Sequence, residues 1–306
     1  MGIFRRTARE PDVPDATFPF LTQAQAVQLR QLVRTAFAEA GTEVTVHADH
    51  VVAADGETFG LANLAAACHA QGRERAWPKV VRRHVSGILA AVAAPSPFET
   101  LSREQAHAAT FLRVMAVEDV QPWMSGHAPE IAPGLHEVLA LDSPDMVHFF
   151  GEEELDRFGP LEELRAAGLR NLRAVHIDEH KVLARDGGTV HVLNGDSMFI
   201  ASLLQILPEV VARFGGEIDP ELGAFVALPN RHQLDFHVLR DATALPSLQI
   251  LSSWALAGFD GAAGAVNPDV YWWRPGECQR LTTVGPDGIR IDVGAELDEV
   301  LERLEG

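Results

Sequence analysis

Cysteine is scarce in this chain of 306 residues: Cys68 and Cys278 are the only two. They are too few and too far apart for a disulfide framework or a zinc knuckle. Lysine is almost missing as well, with Lys79 and Lys181 alone, so nearly all positive charge is arginine. Positive charge is short overall: 25 Lys and Arg face 43 Asp and Glu, for a formal net charge of −18. A surface of that sign opposes nucleic-acid phosphates and anionic lipid, so no nucleic-acid or membrane partner is expected. No apolar run approaches the ~18 residues of a membrane span. The opening MGIFRRTAREPDVPDAT has arginines but no apolar stretch behind them, which excludes a secretory signal and reads as a disordered lead-in over 1–17. Arg6 stands where a myristoylation motif needs Ser or Thr. The patterns GxGxxG, GxxxxGK[ST], HExxH, GxSxG and CxxC are all absent, and with them the common nucleotide-binding and hydrolase signatures. The expectation is a cytoplasmic protein.

What is present is ample core material, with 47% hydrophobic residues and a mean hydropathy of +0.02. Thr22 and Gln25 have capping-box spacing, and Leu29, Leu32, Val33, Ala36 and Phe37 then repeat as one buried helical face closed by Gly41. The spacing predicts a helix over about 22–40, then β-rich runs around Asp55-Gly56, a helix at LANLAAACHA, and another opened by Pro78. The two prolines of 93–102 mark a boundary between a domain over 18–95 and one over 103–306. Beyond it strands are expected at FLRVMAVEDV, GLHEVLALD and DMVHFF, the last two joined by Ser143-Pro144-Asp145. A helical stretch over 152–172, broken near Gly159-Pro160, leads to a hairpin, a helix over about 197–214, a strand pair, a helix over about 246–259 and a closing strand at VYWWR.

An internal repeat organises these elements. Val46, His47, Asp49, His50, Val51, Asp55, Gly56 and Thr58 align with Val175, His176, Asp178, His180, Val182, Asp186, Gly187 and Thr189, with single insertions at Glu179 and Lys181. Each copy follows an amphipathic helix and precedes an apolar one. The expected fold is therefore α+β, with two α-β-β-α units, the C-terminal one elaborated into a larger, mostly antiparallel sheet packed with helices.

HIDEH (176–180) matches the H-x-x-E-H spacing of one class of zinc peptidase. That chemistry needs a helix, where the two histidines share a face one turn apart. The repeat places HIDEH on a strand instead, and the copy at 46–50 lacks the glutamate. The peptidase reading therefore fails. On a strand, His176, Asp178 and His180 would share one face, a possible set for a divalent metal such as zinc, with His47 and Asp49 as a second set. The plainer reading is a solvated face of an edge hairpin, with no cofactor.

Other candidates are polar residues in turns. Asn194, Asp196 and Ser197 sit where strand gives way to helix, with Ser202, Gln205 and Glu209 forming a polar stripe behind them. These could contact a ligand or partner, or simply cap the helix. Arg231, His232, Asp235 and His237 lie in a turn and the strand after it, without a Ser or Cys nucleophile motif beside them. Arg73, Arg75, Lys79, Arg82, Arg83 and His84 concentrate basic charge suited to an acidic partner or to the acidic stretch at 152–163. Tyr271, Trp272 and Trp273 put aromatics on both faces of one strand, which points to core.

From about 112 to 282 the chain resembles an uncharacterised family of proteins from bacilli and actinobacteria. The resemblance rests on VLALDSP (138–144), VHVLNGDSMFIASLL (190–204), FVALPNRHQLDFHV (225–238) and LPSLQILSSWAL (245–256), and more faintly on 43–94. It draws attention to Asn194, Asp196, Ala201, Ser202, Pro229 and His232 and implies a bacterial cytoplasmic setting, but no activity. The α-β-β-α units are also similar in element order to small chaperone-like domains of the secretion-chaperone and YbjN type, which bind polypeptides. The function expected is non-enzymatic binding of a peptide or protein, with a second copy of the chain (a homo-oligomer) among the candidate partners. The alternative is a metal-dependent enzyme using His176, Asp178 and His180.

Overall fold

A computed structural model describes residues 13–54, 56–143, 146–214, 216–286 and 288–305. The proposed lead-in up to residue 12, the turn residue Asp55 and Pro144-Asp145 lie outside these. The fold is α+β. It divides into two compact units, one reaching Val92 and including Gly261–Ala263, the other holding Ala93–Asp260 and the chain from Gly264 onward.

In the first unit, α1 (Gln23–Glu39) starts at the expected capping box, with Gln25 N–H donating to Thr22 Oγ1 at 3.2 Å. Gly41, at φ 80°, follows its end, a conformation that costs glycine little. A three-stranded antiparallel sheet follows: β1 (Val44–Val46), β2 (His50–Ala53) and β3 (Thr58–Gly60). The helices α2 (Ala62–Ala70) and α3 (Trp77–Ala93) close the unit. Leu29, Val33 and Phe37 of α1 pack with Val51, Leu64, Trp77 and Val81 in one core. The α-β-β-α order is present here with β1 added in front. Of the basic cluster, Arg82 pairs with Glu39 across 3.9 Å.

The second unit begins with α4 (Pro97–Thr100) and α5 (Arg103–Ala109). Phe98 is buried in this unit's core, so the proline-rich stretch belongs to it rather than forming a free linker. Next come β4 (Thr110–Ala116), β5 (Glu130–Ala132), β6 (Leu135–Asp142) and β7 (Val147–Phe149). β6 pairs with β4 along one side and with β5 and β7 in succession along the other, all antiparallel. Helices α6 (Glu152–Phe158) and α7 (Leu161–Leu172) follow, separated at Gly159-Pro160 as expected.

Strands β8 (Glu179–Arg185) and β9 (Gly188–Asn194) form an antiparallel hairpin. Its turn residues Asp186 and Gly187 both have positive φ, 51° and 82°, the geometry of a primed two-residue turn that Asp-Gly favours. The helix expected over 197–214 is instead a 3-10 segment, Ala201–Ile206, followed by α8 (Leu207–Arg213). Pro208 explains the break: it donates no N–H, and its ring would clash with the carbonyl four residues earlier. Strands β10 (Ala224–Ala227) and β11 (Gln233–Val238), helix α9 (Ala244–Phe259) and strand β12 (Val270–Arg274) agree with the expected elements. The chain does not close at β12. Strands β13 (Glu277–Arg280), β14 (Thr282–Gly285) and β15 (Gly288–Ile291) and helix α10 (Ala295–Glu305) come after it.

Six of these strands form one antiparallel sheet in the order β13-β12-β10-β11-β9-β8. Alternation sends Phe225, Ala227, Val190, Val192 and Trp272 to one face, where α9 and α10 cover them. Val226, Leu234, Phe236, Leu193 and Tyr271 point to the other, into a core shared with Leu112, Val114, Leu139 and Leu203. Both faces of the central strands are thus buried.

Helix α7 approaches β4 through Gly168. A Cβ there would lie 2.8 Å from Leu112 Cγ and 2.9 Å from its backbone nitrogen. Gly168→Ala should therefore lower stability by about 1–2 kcal/mol despite alanine's better helix propensity, because forced repacking outweighs the ~1 kcal/mol propensity gain. The urea midpoint measures this; an unchanged or higher midpoint would show that the helix can retreat freely.

Candidate functional site

The HIDEH residues do not form one set of ligands. Only Glu179 and His180 lie in β8; His176 to Asp178 precede it. Asp178 explains the difference. Its N–H donates to Asn194 O at 3.0 Å, and its Oδ2 accepts the Asp196 N–H at 2.7 Å, fixing an irregular entry to the hairpin. His176 is 84% exposed, 3.5 Å from Asp178. His180 turns to other company, with its Nε2 3.0 Å from His191 Nδ1 and its ring against Phe214. In the first unit, His47 stacks on His50, which contacts Asp49 at 2.6 Å. Among the described residues no group of three or more His, Cys, Asp or Glu is arranged to hold a metal ion.

The polar turn residues do come together, and their bonds are structural. His232 Nδ1 lies 3.2 Å from Gly195 O, and Gly195 N–H donates to His232 O at 3.1 Å. The Ala201 N–H donates to Arg231 O. Ser202, 1% exposed, accepts the Val114 N–H on Oγ at 2.9 Å. Asn194 sits in the ladder opposite Gln233 and Glu179. Asp196 contributes its backbone N–H, and Ser197 Oγ accepts from Phe199 N, so neither caps a helix N-terminus. Of the rest of the stripe, Glu209 pairs with Arg173. Tyr271 and Trp272 are core, as expected, while Trp273 is half-buried.

Trp273 instead lines a cleft of about 460 Å³ in the second unit, together with Ile131, Glu137, Arg165, Leu169, Leu204, Gln205 and Cys278. Strand β6 supplies Glu137, which is 4% exposed and accepts from Arg165 of α7 at 2.8 Å. Burial pushes its carboxyl above the usual carboxylate range, and Arg165 opposes that only in part. The 3-10 segment supplies Gln205, whose Nε2 is buried with no hydrogen-bond partner. A buried donor without an acceptor is costly, so a ligand supplying one would be favoured. Burial raises the Cys278 thiol to about 12, which favours the thiol over the thiolate. One sequence feature marked this place: Glu137 interrupts the apolar row Leu135, Leu139, Leu141 on a strand of period two. A larger hollow of about 850 Å³ is ringed by Glu221, Arg274, Glu296, Glu299, Glu302 and Arg303, where Arg274 is already paired with Glu277 and Glu296.

Burial displaces the titration of two further groups in this unit. Asp235 is fully buried on β11. One carboxyl oxygen accepts from Gln233 Nε2 at 2.8 Å, and the other has no partner. Burial holds its carboxyl well above the ordinary carboxylate range. His191 stacks on Phe236, and its ring is lowered to about 4, first by burial and then by His180, His237 and Arg240.

The two groups tilt stability in opposite directions. Above about pH 4 the unfolded Asp235 is ionised while the folded one resists, so its contribution is lost as pH rises. Below about pH 6.5 the unfolded His191 takes a proton that the folded ring refuses, so its contribution is lost as pH falls. Asp235→Asn should gain stability relative to the parent with increasing pH. His191→Phe should gain with decreasing pH from about 6.5 to 4. Urea midpoints across pH 4 to 8 check both; parallel curves for parent and variants would refute the assignment.

No helix among the described residues is long and apolar enough to cross a membrane. Compared with known proteins, the chain matches no family model, no curated protein and no solved structure.

Proposed function

We propose that this chain is a non-enzymatic polypeptide-binding protein whose second unit seats a peptide segment in the cleft beside Glu137 and Gln205. The observation that carries the reading is the buried Gln205 Nε2, a donor without an acceptor in a cleft walled by Ile131, Leu169, Leu204 and Trp273. A peptide carbonyl supplies the missing acceptor while a neighbouring apolar side chain covers the walls. Glu130 and Glu277 on the lining, and the chain's charge of −18, favour a segment with basic residues beside the apolar one. Cys278, favoured as the thiol, is in keeping with binding without chemistry. Similarity in element order to YbjN-type domains, and to the uncharacterised bacterial family, is in keeping with this role. The free thiols Cys68 and Cys278 suit a reducing cytoplasm. A second copy of the chain is one admissible source of the segment.

The test is selection of peptides from a random display library on the full chain, followed by affinity measurement. Apolar-basic sequences should emerge, and Gln205→Leu should weaken them about tenfold, the ~1.4 kcal/mol of a lost buried hydrogen bond. The same substitution should leave the melting temperature equal or higher, since it removes an unsatisfied donor. Selection of no peptide, or peptides indifferent to Gln205→Leu, would sink the proposal.

A further inference from the structure

Several of the chain's arginines, among them Arg30, Arg103, Arg165, Arg173 and Arg274, reach a carboxylate. Two arginines of the second unit depart from this. Arg113 lies on β4 between Leu112 and Val114, both buried, and its guanidinium sits over the Phe149 ring, 5.5 Å from the centroid. Its Nε is buried and has no hydrogen-bond partner. Arg231 lies in the turn between β10 and β11, and the 3-10 segment ties the two places together. Ser202 Oγ receives the Val114 N–H, and the Ala201 N–H goes to Arg231 O.

Both guanidiniums are braced. Arg231 Nε donates to His232 Nε2 at 3.0 Å, which leaves His232 Nδ1–H to donate to Gly195 O. The Arg231 stem fills the space a side chain would take at Gly264, whose φ is 70°. Arg113 is held by its ring contact. Burial lowers the affinity of both for their protons, to about 10 for Arg113, and Arg231 adds repulsion at Arg113. The acid that acts on Arg113 is Asp119, and burial raises that carboxyl's own pKa. Asp196 acts on His232. Among the described residues, neither guanidinium makes an ion pair with a carboxylate.

Two partly desolvated, pre-oriented cations with no carboxylate in direct ion-pair contact are costly to keep charged. The planar fork of arginine matches the paired oxygens of a carboxylate or phosphate. We propose that Arg113 and Arg231, braced by Phe149 and His232, form a binding site for one oxyanion, the carboxylate or phosphate group of a small ligand. This site shares no residue with the peptide cleft, so either can fail without the other.

The probes are inorganic phosphate and succinate, titrated calorimetrically into the full chain, with sodium chloride at matched ionic strength as the control. At least one probe should bind saturably at a single site and raise the melting temperature beyond the chloride control. Arg231→Met and Arg113→Met should each weaken that probe tenfold or more. Without ligand, they should melt at or above the parent, because each removes a charge with no direct ion pair; a purely structural role predicts lower melting instead. Arg231→Lys keeps the charge but not the fork, and serves if a Met variant does not fold; it should bind with intermediate affinity. Phosphate preference points to a phosphorylated ligand and succinate preference to a carboxylic acid. Saturation by neither probe, an equal effect of chloride, or binding untouched by the substitutions would overturn the proposal.

Discussion

The second unit depends on a sheet buried on both faces. Strands β10 and β11 have largely apolar neighbours above and below, with α9 and α10 on one side and the 3-10 segment, α8 and the smaller sheet on the other. A sheet in that position cannot send its alternate residues to water. The row Gln233, Asp235, His237 must therefore be accommodated under α9, and Asp235 is held there with its proton favoured. The same burial fixes the turns at the strand ends, where Gly195 N–H donates to His232 O and Ala201 N–H donates to Arg231 O. The cleft forms at the other border, where β13 and Trp273 come beside Glu137 of β6 and Arg165 of α7. Position in the sheet, more than residue type, decides which polar groups remain available.

Much of the architecture could be read from local pattern. The capping box at Thr22 and Gln25, the Asp186-Gly187 turn and the apolar faces of α1 and α9 follow from rules acting within a few residues. Where the reading failed, longer-range forces decided. The row Gln233, Asp235, His237 alternates with Leu234 and Phe236, so period two suggests a solvent-facing side; only the covering helix reveals it as core. Pro208 divides an apolar run whose helical periodicity seemed continuous. Strands β14 and β15 are four residues each, too short for their pattern to stand out, and they hold by pairing with one another. Helix α10 carries an amphipathic pattern in Leu297, Val300 and Leu301, beyond the strand VYWWR with which the expected elements end.

The candidate site was legible only in part. Asn194, Asp196, Ser202, Arg231 and His232 stand out in the sequence because polar groups cluster near turns, and they do meet in space. Their hydrogen bonds mostly hold loops in place, and the clearest exception, Arg231, acquires interest from Arg113, a residue 118 positions earlier that no local motif connects to it. Gln205 was visible as part of a polar stripe, but its isolation is a property of the packed interior. Composition said that the chain is acidic; it could not say where cations would be left without partners.

The edge of the six-stranded sheet at β8 has a consequence for how the protein survives at high concentration. Among the described residues, β8 pairs with β9 on one side alone, leaving a row of backbone groups along the other. Such an edge invites a strand from another molecule and, with it, open-ended stacking. Charged residues at Glu179, Lys181 and Arg185 discourage that, and the Glu179–Lys181 ion pair, 2.8 Å long, rides on the strand itself. Val182 stands 52% exposed within this guard. HIDEH supplies the first of these charges, so the stretch that resembles a catalytic motif contributes to colloidal stability by keeping neighbouring molecules from joining the sheet.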